Sequence, residues 1–121
     1  MAAPIRCAGE VVTIVGTHGD DLIIGTEGRD VIRGLGGDDV ILGLGGDDVL
    51  CGNGGDDTIS GGTGFDIILA GGGSDLLYAN SDNDRRDIAG AELHGGAGSD
   101  TLIGSNQNDF CLLYTSDAAD E

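Results

Sequence analysis

The sequence predicts an all-β repeat fold, a stack of nine-residue turn-and-strand units, and three observations predict it. A glycine–aspartate pattern recurs every nine residues. The apolar residues are aliphatic, many of them β-branched, and the chain carries no Trp, two Tyr and two Phe, too few large rings for an ordinary core. Acid far outweighs base, with 22 Asp+Glu against 5 Lys+Arg and a formal net charge of −17. Its 121 residues allow one domain. Such a charge repels itself in any compact state. Low hydrophobicity would then mean disorder, but 39% of the residues are hydrophobic. Apolar content this high beside so many carboxylates describes a chain that folds with counter-cations. Nucleic acid is excluded as a partner, because binding it requires clustered Lys and Arg. No membrane span is expected, since no run of about 18 apolar residues occurs.

The period starts at Gly16. Steps of nine read GTHGDDLII, GTEGRDVIR, GLGGDDVIL, GLGGDDVLC, GNGGDDTIS, GGTGFDIIL and AGGGSDLLY, without a gap through Tyr78. After an interruption, GGAGSDTLI spans Gly95 to Ile103 and GSNQND spans Gly104 to Asp109. The first column is Gly16, Gly25, Gly34, Gly43, Gly52 and Gly61, then Ala70. The fourth begins Gly19, Gly28, Gly37, Gly46, Gly55 and Gly64. The sixth is Asp21, Asp30, Asp39, Asp48, Asp57, Asp66 and Asp75, followed by Asp100 and Asp109. The eighth is Ile23, Ile32, Ile41, Leu50, Ile59, Ile68 and Leu77, followed by Leu102.

Each column has a physical task. Glycine at positions one and four is expected to supply backbone conformations, often with φ > 0, that a Cβ would penalise. Six Gly- and Asp-rich residues make a turn and three make a very short strand. Neighbours in a strand point to opposite faces, so the eighth residue faces inward and the seventh and ninth face outward. One inward aliphatic per unit, stacked at the ~4.8 Å strand spacing, builds a thin core without aromatic rings. A single unit cannot bury its apolar residue, so stability requires stacking.

Stacked sixth-position carboxylates repel one another unless a cation lies between them. Carboxylates together with carbonyls of glycine-rich turns form a hard oxygen donor set. Ca²⁺ accepts six to eight such oxygens in flexible geometry, whereas Mg²⁺ demands a tighter octahedron and keeps its waters. Calcium is the expected ion.

The recurring motif resembles the RTX, or hemolysin-type, calcium-binding repeat, G-G-x-G-x-D-x-U-x. The resemblance covers Gly16 to Tyr78 and Gly95 to Asp109. It implies a right-handed parallel β-roll with two nonapeptides per coil and ions held between turn n and turn n+2. The implied pairs are Asp21 with Asp39, Asp30 with Asp48, Asp39 with Asp57, Asp48 with Asp66, and Asp57 with Asp75. The implied metal-binding side chains are the whole sixth column, Asp100 and Asp109 included. Backbone carbonyls of the turns around Gly16, Gly19, Gly25, Gly28, Gly34, Gly37, Gly43, Gly46, Gly52, Gly55, Gly61 and Gly64 complete the shells. About five ions would offset about ten of the negative charges.

The organisation follows from the period. Residues 1–10 form an N-terminal arm and 11–15 a cap: Ile14 is in the inward register, but Val12 stands where a sixth-position Asp would be. Repeats fill 16–78, an excursion loop 79–94, and repeats 95–109. In the loop Asp84 falls at a sixth position while Arg86 takes the inward one, and Glu92-Leu93-His94 offers a strand on its exit. Residues 110–121 form a tail of a different kind. From Cys111 to Glu121 it resembles an in-frame translation of a transposase mosaic-end sequencing adapter, so it is expected to be non-native and excluded from fold reasoning. On that reading the chain is a fragment of a protein that continues past Asp109. Met1 to Cys7 is too short and too weakly apolar for an intact signal peptide, and reads as a stub near a cleavage point or an internal start.

Without Cys111, two cysteines remain, Cys7 in the arm and Cys51 at an outward ninth position. A disulfide pinning the arm onto the roll would suit an extracellular protein. Two unpaired thiols are the alternative, since sequence does not show whether their Cβ atoms meet.

Nothing in the sequence reads as catalytic. His18 occupies a variable turn position and His94 the loop exit, and no H-E-x-x-H stretch exists. Ser60, Ser74 and Ser99 lack a nucleophile elbow, and no Walker lysine follows the G-x-G strings. The fifth-position acids Asp20, Asp38, Asp47 and Asp56 read as solvated turn carboxylates, with direct ligation as the alternative. Arg85 and Arg86 solubilise the loop. The outward seventh column, Leu22, Val31, Val40, Val49, Thr58, Ile67 and Leu76, is apolar for a solvent face. It reads either as a docking surface for a missing domain or as exposed β-propensity. The expected function is a calcium-binding module of a secreted bacterial protein that orders on meeting extracellular calcium. The alternatives are the repeat region of a secreted metalloprotease or lipase whose catalytic domain lies elsewhere, and an adhesin or surface spacer.

Overall fold

The computed structural model describes residues 6–79 and 91–104 and the backbone of 110–112. Asp84, Arg85, Arg86 and Asp109 lie outside the described residues. Among the described residues, the chain forms thirteen short strands and no helix. An antiparallel hairpin comes first, β1 (Arg6–Cys7) and β2 (Glu10–Val11). Its two-residue turn places Ala8 and Gly9 at φ 55 and φ 84, the left-handed pair that matches strand twist in a tight hairpin.

The roll follows: β3 (Ile14–Val15), β4 (Leu22–Ile24), β5 (Val31–Arg33), β6 (Val40–Leu42), β7 (Val49–Cys51), β8 (Thr58–Ser60), β9 (Asp66–Leu69), β10 (Leu76–Tyr78), β11 (Ala91–His94), β12 (Thr101–Ile103) and β13 (Phe110–Leu112). Odd strands from β3 to β13 make one parallel sheet and even strands from β4 to β12 the other. Ile14 pairs with Ile32, Ile23 with Ile41 and Leu50 with Ile68. Each partner is therefore two repeats away, and one coil is two nonapeptides. The strands stay short because glycine and aspartate bound each β-branched triplet, and neither favours a strand.

The two sheets meet through the eighth column. Ile32, Ile41, Leu50, Ile59, Ile68 and Leu77 are fully buried there. Leu93 of β11, also fully buried, joins them, and β11 pairs with β9 in register. Glu92-Leu93-His94 thus lies in a strand rather than a loop. Across the interruption, Leu76 pairs with Thr101, so the even sheet resumes. On the odd sheet, Leu93 pairs with Cys111, so the roll runs one strand past Asp109, where the repeats were expected to stop. Strand pairing is made by the backbone and tolerates side chains that break the motif.

Two expectations about individual columns need correction. First-position glycines do not have positive φ at Gly16, Gly25, Gly34, Gly43, Gly52 or Gly61; the left-handed residues lie at the second and fourth positions from the third repeat onward, and Leu35, Leu44 and Asn53 are among them. The first position instead requires space. A Cβ on Gly52 would lie 2.5 Å from Asp57 Oδ2 and 2.9 Å from the Ala70 carbonyl oxygen.

The seventh column is not uniform either. Leu22 and Val40 of the even sheet are exposed, but Val31 and Val49 of the odd sheet are buried. A second apolar cluster, Cys7, Val31, Val49 and Cys51 with Val12, Ile67 and Leu69 against it, explains the difference. The arm lies over this face. Cys7 and Cys51 form a disulfide with Cα atoms 5.9 Å apart. Arg33 Nη1 donates to the Arg6 carbonyl at 3.0 Å, and Arg29 pairs with Glu10 at 3.4 Å.

Candidate metal centre

Sixth-position aspartates stand at the junction of turn and strand, so the coil repeat carries them into two columns. Asp21, Asp39, Asp57, Asp75 and Asp100 line one edge of the roll, and Asp30, Asp48 and Asp66 the other. Each column is a hydrogen-bonded ladder. On the first edge the backbone N–H groups of Asp21, Asp39, Asp57 and Asp75 donate to Oδ1 of the aspartate one coil further on, at 2.7–2.8 Å. On the second, Asp30 N–H donates to Asp48 Oδ1 at 2.7 Å and Asp48 N–H to Asp66 Oδ1 at 2.9 Å. The five pairs implied from sequence are neighbours in these ladders, and Asp100 extends one of them across the 25 residues from Asp75.

The second carboxylate oxygen has a different status. Oδ2 of Asp39, Asp48, Asp57, Asp75 and Asp100 is buried without a hydrogen-bond partner. A buried carboxylate oxygen left unpaired is costly, and five in register do not arise from packing accidents. Oδ2 of Asp39, Asp48, Asp57 and Asp100 lies in the space that a first-position Cβ would take, 2.6 Å from such a Cβ on Gly34, 2.7 Å on Gly43 and Gly95 and 2.5 Å on Gly52; Asp75 is the exception, since Ala70 stands at the first position of its repeat. Carbonyl oxygens of the next coil border the same space, Gly52 O at 3.2 Å from the Gly34 position and Gly61 O at 2.7 Å from the Gly43 position.

Burial raises four of these carboxyls, Asp39, Asp48, Asp57 and Asp75. Asp48, Asp57 and Asp75 are pushed from 3.8 up to about 7. Desolvation is the largest cause; ladder hydrogen bonds oppose it and neighbouring carboxylates add to it. Asp39 is raised for the same leading reason. Without a cation the ladder is held at a cost, and the ionised column is a concentrated negative charge seeking a partner.

Among the described residues, no three His, Cys, Asp or Glu side chains converge as a metal cluster. An ion held here would draw on two carboxylates and main-chain carbonyls. That donor set suits Ca²⁺, which takes six to eight oxygens at 2.3–2.6 Å. His94 contacts Glu92 Oε1 at 3.1 Å on β11, and His18 is exposed at a turn. No helix of the described residues is long and apolar enough to cross a membrane.

Sequence reasoning missed a further ladder. The fifth-position acids accept backbone N–H groups from the following coil: Asp38 N–H to Asp20 Oδ1, Asp56 N–H to Asp38 Oδ1, Phe65 N–H to Asp47 Oδ1 and Ser74 N–H to Asp56 Oδ1, all at 2.8–2.9 Å. They are exposed turn staples that bond in the opposite direction to the sixth column. Their recurrence at position five in four of the first five repeats was the available signal.

The fold and its carboxylate ladders define a calcium-binding β-roll module. A family model for the RTX calcium-binding nonapeptide repeat matches residues 15–50, 52–85 and 92–112, in four copies. The chain belongs to that RTX repeat family, and the matched region is a repeat module with no catalytic domain in it. No curated protein matches the chain.

Proposed function

We propose that the chain is a calcium-driven folding module of a protein secreted by bacteria. The observation that carries this reading is the row of buried, unpartnered Oδ2 atoms at Asp39, Asp48, Asp57, Asp75 and Asp100. Bound calcium would supply the positive charge that lets these carboxylates stay ionised while stacked. The chain's own residues do the rest. The Oδ1 ladder sets the coil spacing, the first-position glycines leave room for Oδ2, and the eighth column closes the core once coils stack. Family members are typically secreted by bacteria, and the Cys7–Cys51 disulfide suits an oxidising compartment.

At the low calcium of a cytosol, a net charge of −17 favours the extended chain. Outside, calcium near the ~10⁻⁴–10⁻³ M of extracellular modules ties the turns together, and binding free energy becomes folding free energy. The test is far-ultraviolet circular dichroism of the full chain, titrated from chelator to millimolar calcium. A cooperative gain of β signal is expected, with magnesium much weaker. An unchanged spectrum would refute the switch.

A second reading, that the roll docks onto another domain of a longer protein, is favoured by one observation. The even sheet leaves Leu22 66%, Ile24 54% and Val40 39% exposed, while the corresponding odd face is covered by the arm. Slower amide exchange at Leu22–Ile24 in a longer chain than in this one would support it, and equal exchange would refute it.

A further inference from the structure

The turns of the roll fall into two kinds, and the division does not follow the aspartate column, which is unbroken. In the first turn on each edge the second residue is threonine. Thr17 N–H donates to Asp21 Oδ2 at 2.7 Å, its hydroxyl lies 2.9 Å from Asp21 Oδ1, and the same hydroxyl accepts Gly19 N–H at 3.1 Å. Thr26 repeats this on Asp30: N–H to Oδ2 at 2.7 Å, hydroxyl 3.1 Å from Oδ1, Gly28 N–H to the hydroxyl at 3.1 Å. Both oxygens of Asp21 and Asp30 therefore have local donors, and neither residue has an unpartnered Oδ2.

From the third turn onward the arrangement changes. The second residue turns left-handed at Leu35 (φ 72), Leu44 (φ 68) and Asn53 (φ 72). Leucine rarely adopts that conformation, because its Cβ crowds the following carbonyl oxygen, and such strain persists where the surroundings impose it, commonly at ligand sites. In these turns Oδ2 of Asp39, Asp48 and Asp57 loses its donors. Strained backbone and orphaned oxygen appear together, at the same repeat.

Resting on the calcium reading above, we infer that Thr17 and Thr26 occupy their aspartates in place of an ion. The first turn on each edge is then a metal-free cap. Ion-holding pairs begin at Asp39 on one edge and Asp48 on the other: Asp39 with Asp57, Asp57 with Asp75, Asp75 with Asp100, and Asp48 with Asp66. The pairs Asp21 with Asp39 and Asp30 with Asp48, implied by the motif alone, hold none. The threonines close the end of the ladder, where no earlier glycine–aspartate turn precedes the turns of Asp21 and Asp30.

The test is calcium stoichiometry of the full chain, by native mass spectrometry and calorimetry, read as differences from the parent protein. Asp21→Asn and Asp30→Asn leave the number of bound ions unchanged, whereas Asp57→Asn lowers it. Thr17→Gly and Thr26→Gly, which remove the latch and free the second position to turn left-handed, each add one ion. Loss of an ion in Asp21→Asn or Asp30→Asn, or no gain in either glycine variant, overturns the inference. A parent chain that binds no calcium overturns the calcium reading itself, and this inference with it.

Discussion

Gly55 and its neighbour Gly54 separate the stacking requirement from mere turn flexibility. Gly55 has φ 92, and a Cβ added there would overlap the Gly37 carbonyl oxygen of the preceding coil and approach Asp38 Oδ1 at 3.1 Å. Gly54 has no atom within 4 Å of its Cβ position and no left-handed φ. In Gly55→Ala the left-handed backbone costs about 1–2 kcal/mol. Pushing two coils apart costs about 1–3 kcal/mol more, so a loss of about 3 kcal/mol is expected. Gly54→Ala removes only unfolded-state freedom and gains about 0.4–1 kcal/mol. The two variants should therefore differ by about 3–4 kcal/mol, although they are adjacent residues with the same change of composition. Urea unfolding at fixed, saturating free calcium, followed by circular dichroism, reads this difference directly. In a domain this small, Gly55→Ala should also melt on the order of 15 °C lower. Equal midpoints for the two variants, within about 0.5 kcal/mol, would refute close contact between stacked fourth positions as a requirement of the roll.

Three other outcomes follow from the same geometry. Ile59 is fully buried in the middle of the stack, so Ile59→Ala should cost about 2–5 kcal/mol in calcium-saturated urea unfolding, and a loss below about 1 kcal/mol would contradict a single continuous core. Folded Asp48, Asp57 and Asp75 carboxyls near 7, against 3.8 when unfolded, mean that the metal-free folded chain binds more protons between those values. Its stability is therefore greatest below about pH 4 and is lost as pH rises through 7. Circular dichroism in chelator should show more β structure at pH 4.5 than at pH 8; the reverse order would refute the burial argument. The Cys7–Cys51 bond spans 44 residues, worth about 4 kcal/mol by chain entropy. Reduction, or Cys7→Ser with Cys51→Ser, should raise the free calcium at the folding midpoint, and an unchanged midpoint would show that the arm contributes nothing to the switch.

The inward column was legible from periodicity, and the two-repeat coil with its aspartates adjacent two repeats apart through the family resemblance. In the inward column every residue has the same environment, and Ile41 and Ile59 could be placed by arithmetic. What was not legible lies where the period is silent. The 1–10 arm has no repeat of its own; its one signal was Cys7 as a partner for Cys51, which does not show that the arm covers Val31 and Val49 and leaves Leu22 bare. The glycine columns were legible as columns but not as causes. Asp57 Oδ2 fills the Cβ space of Gly52, at a position where Ala70 stands in a later repeat, and Gly55 is required because the chain turns left-handed against Gly37. Composition reports both as the same residue.

The aspartate column shows why fold and site cannot be pulled apart in this protein. One oxygen of Asp57 accepts the N–H of Asp39 and so sets the height of a coil, while the other is buried with no donor. The same side chain supplies the stacking contact and the unpaired charge that opposes stacking. A chain with only the first oxygen satisfied is poised near balance, because the ladder bonds, each worth about 1 kcal/mol net, compete with desolvated carboxylates that cost more. A cation that satisfies the second oxygen tips that balance in every coil it touches. Because each aspartate is shared by two neighbouring turns, filling one site orders half of the next. On the proposed function, calcium dependence would be a property of the stack rather than of any single turn.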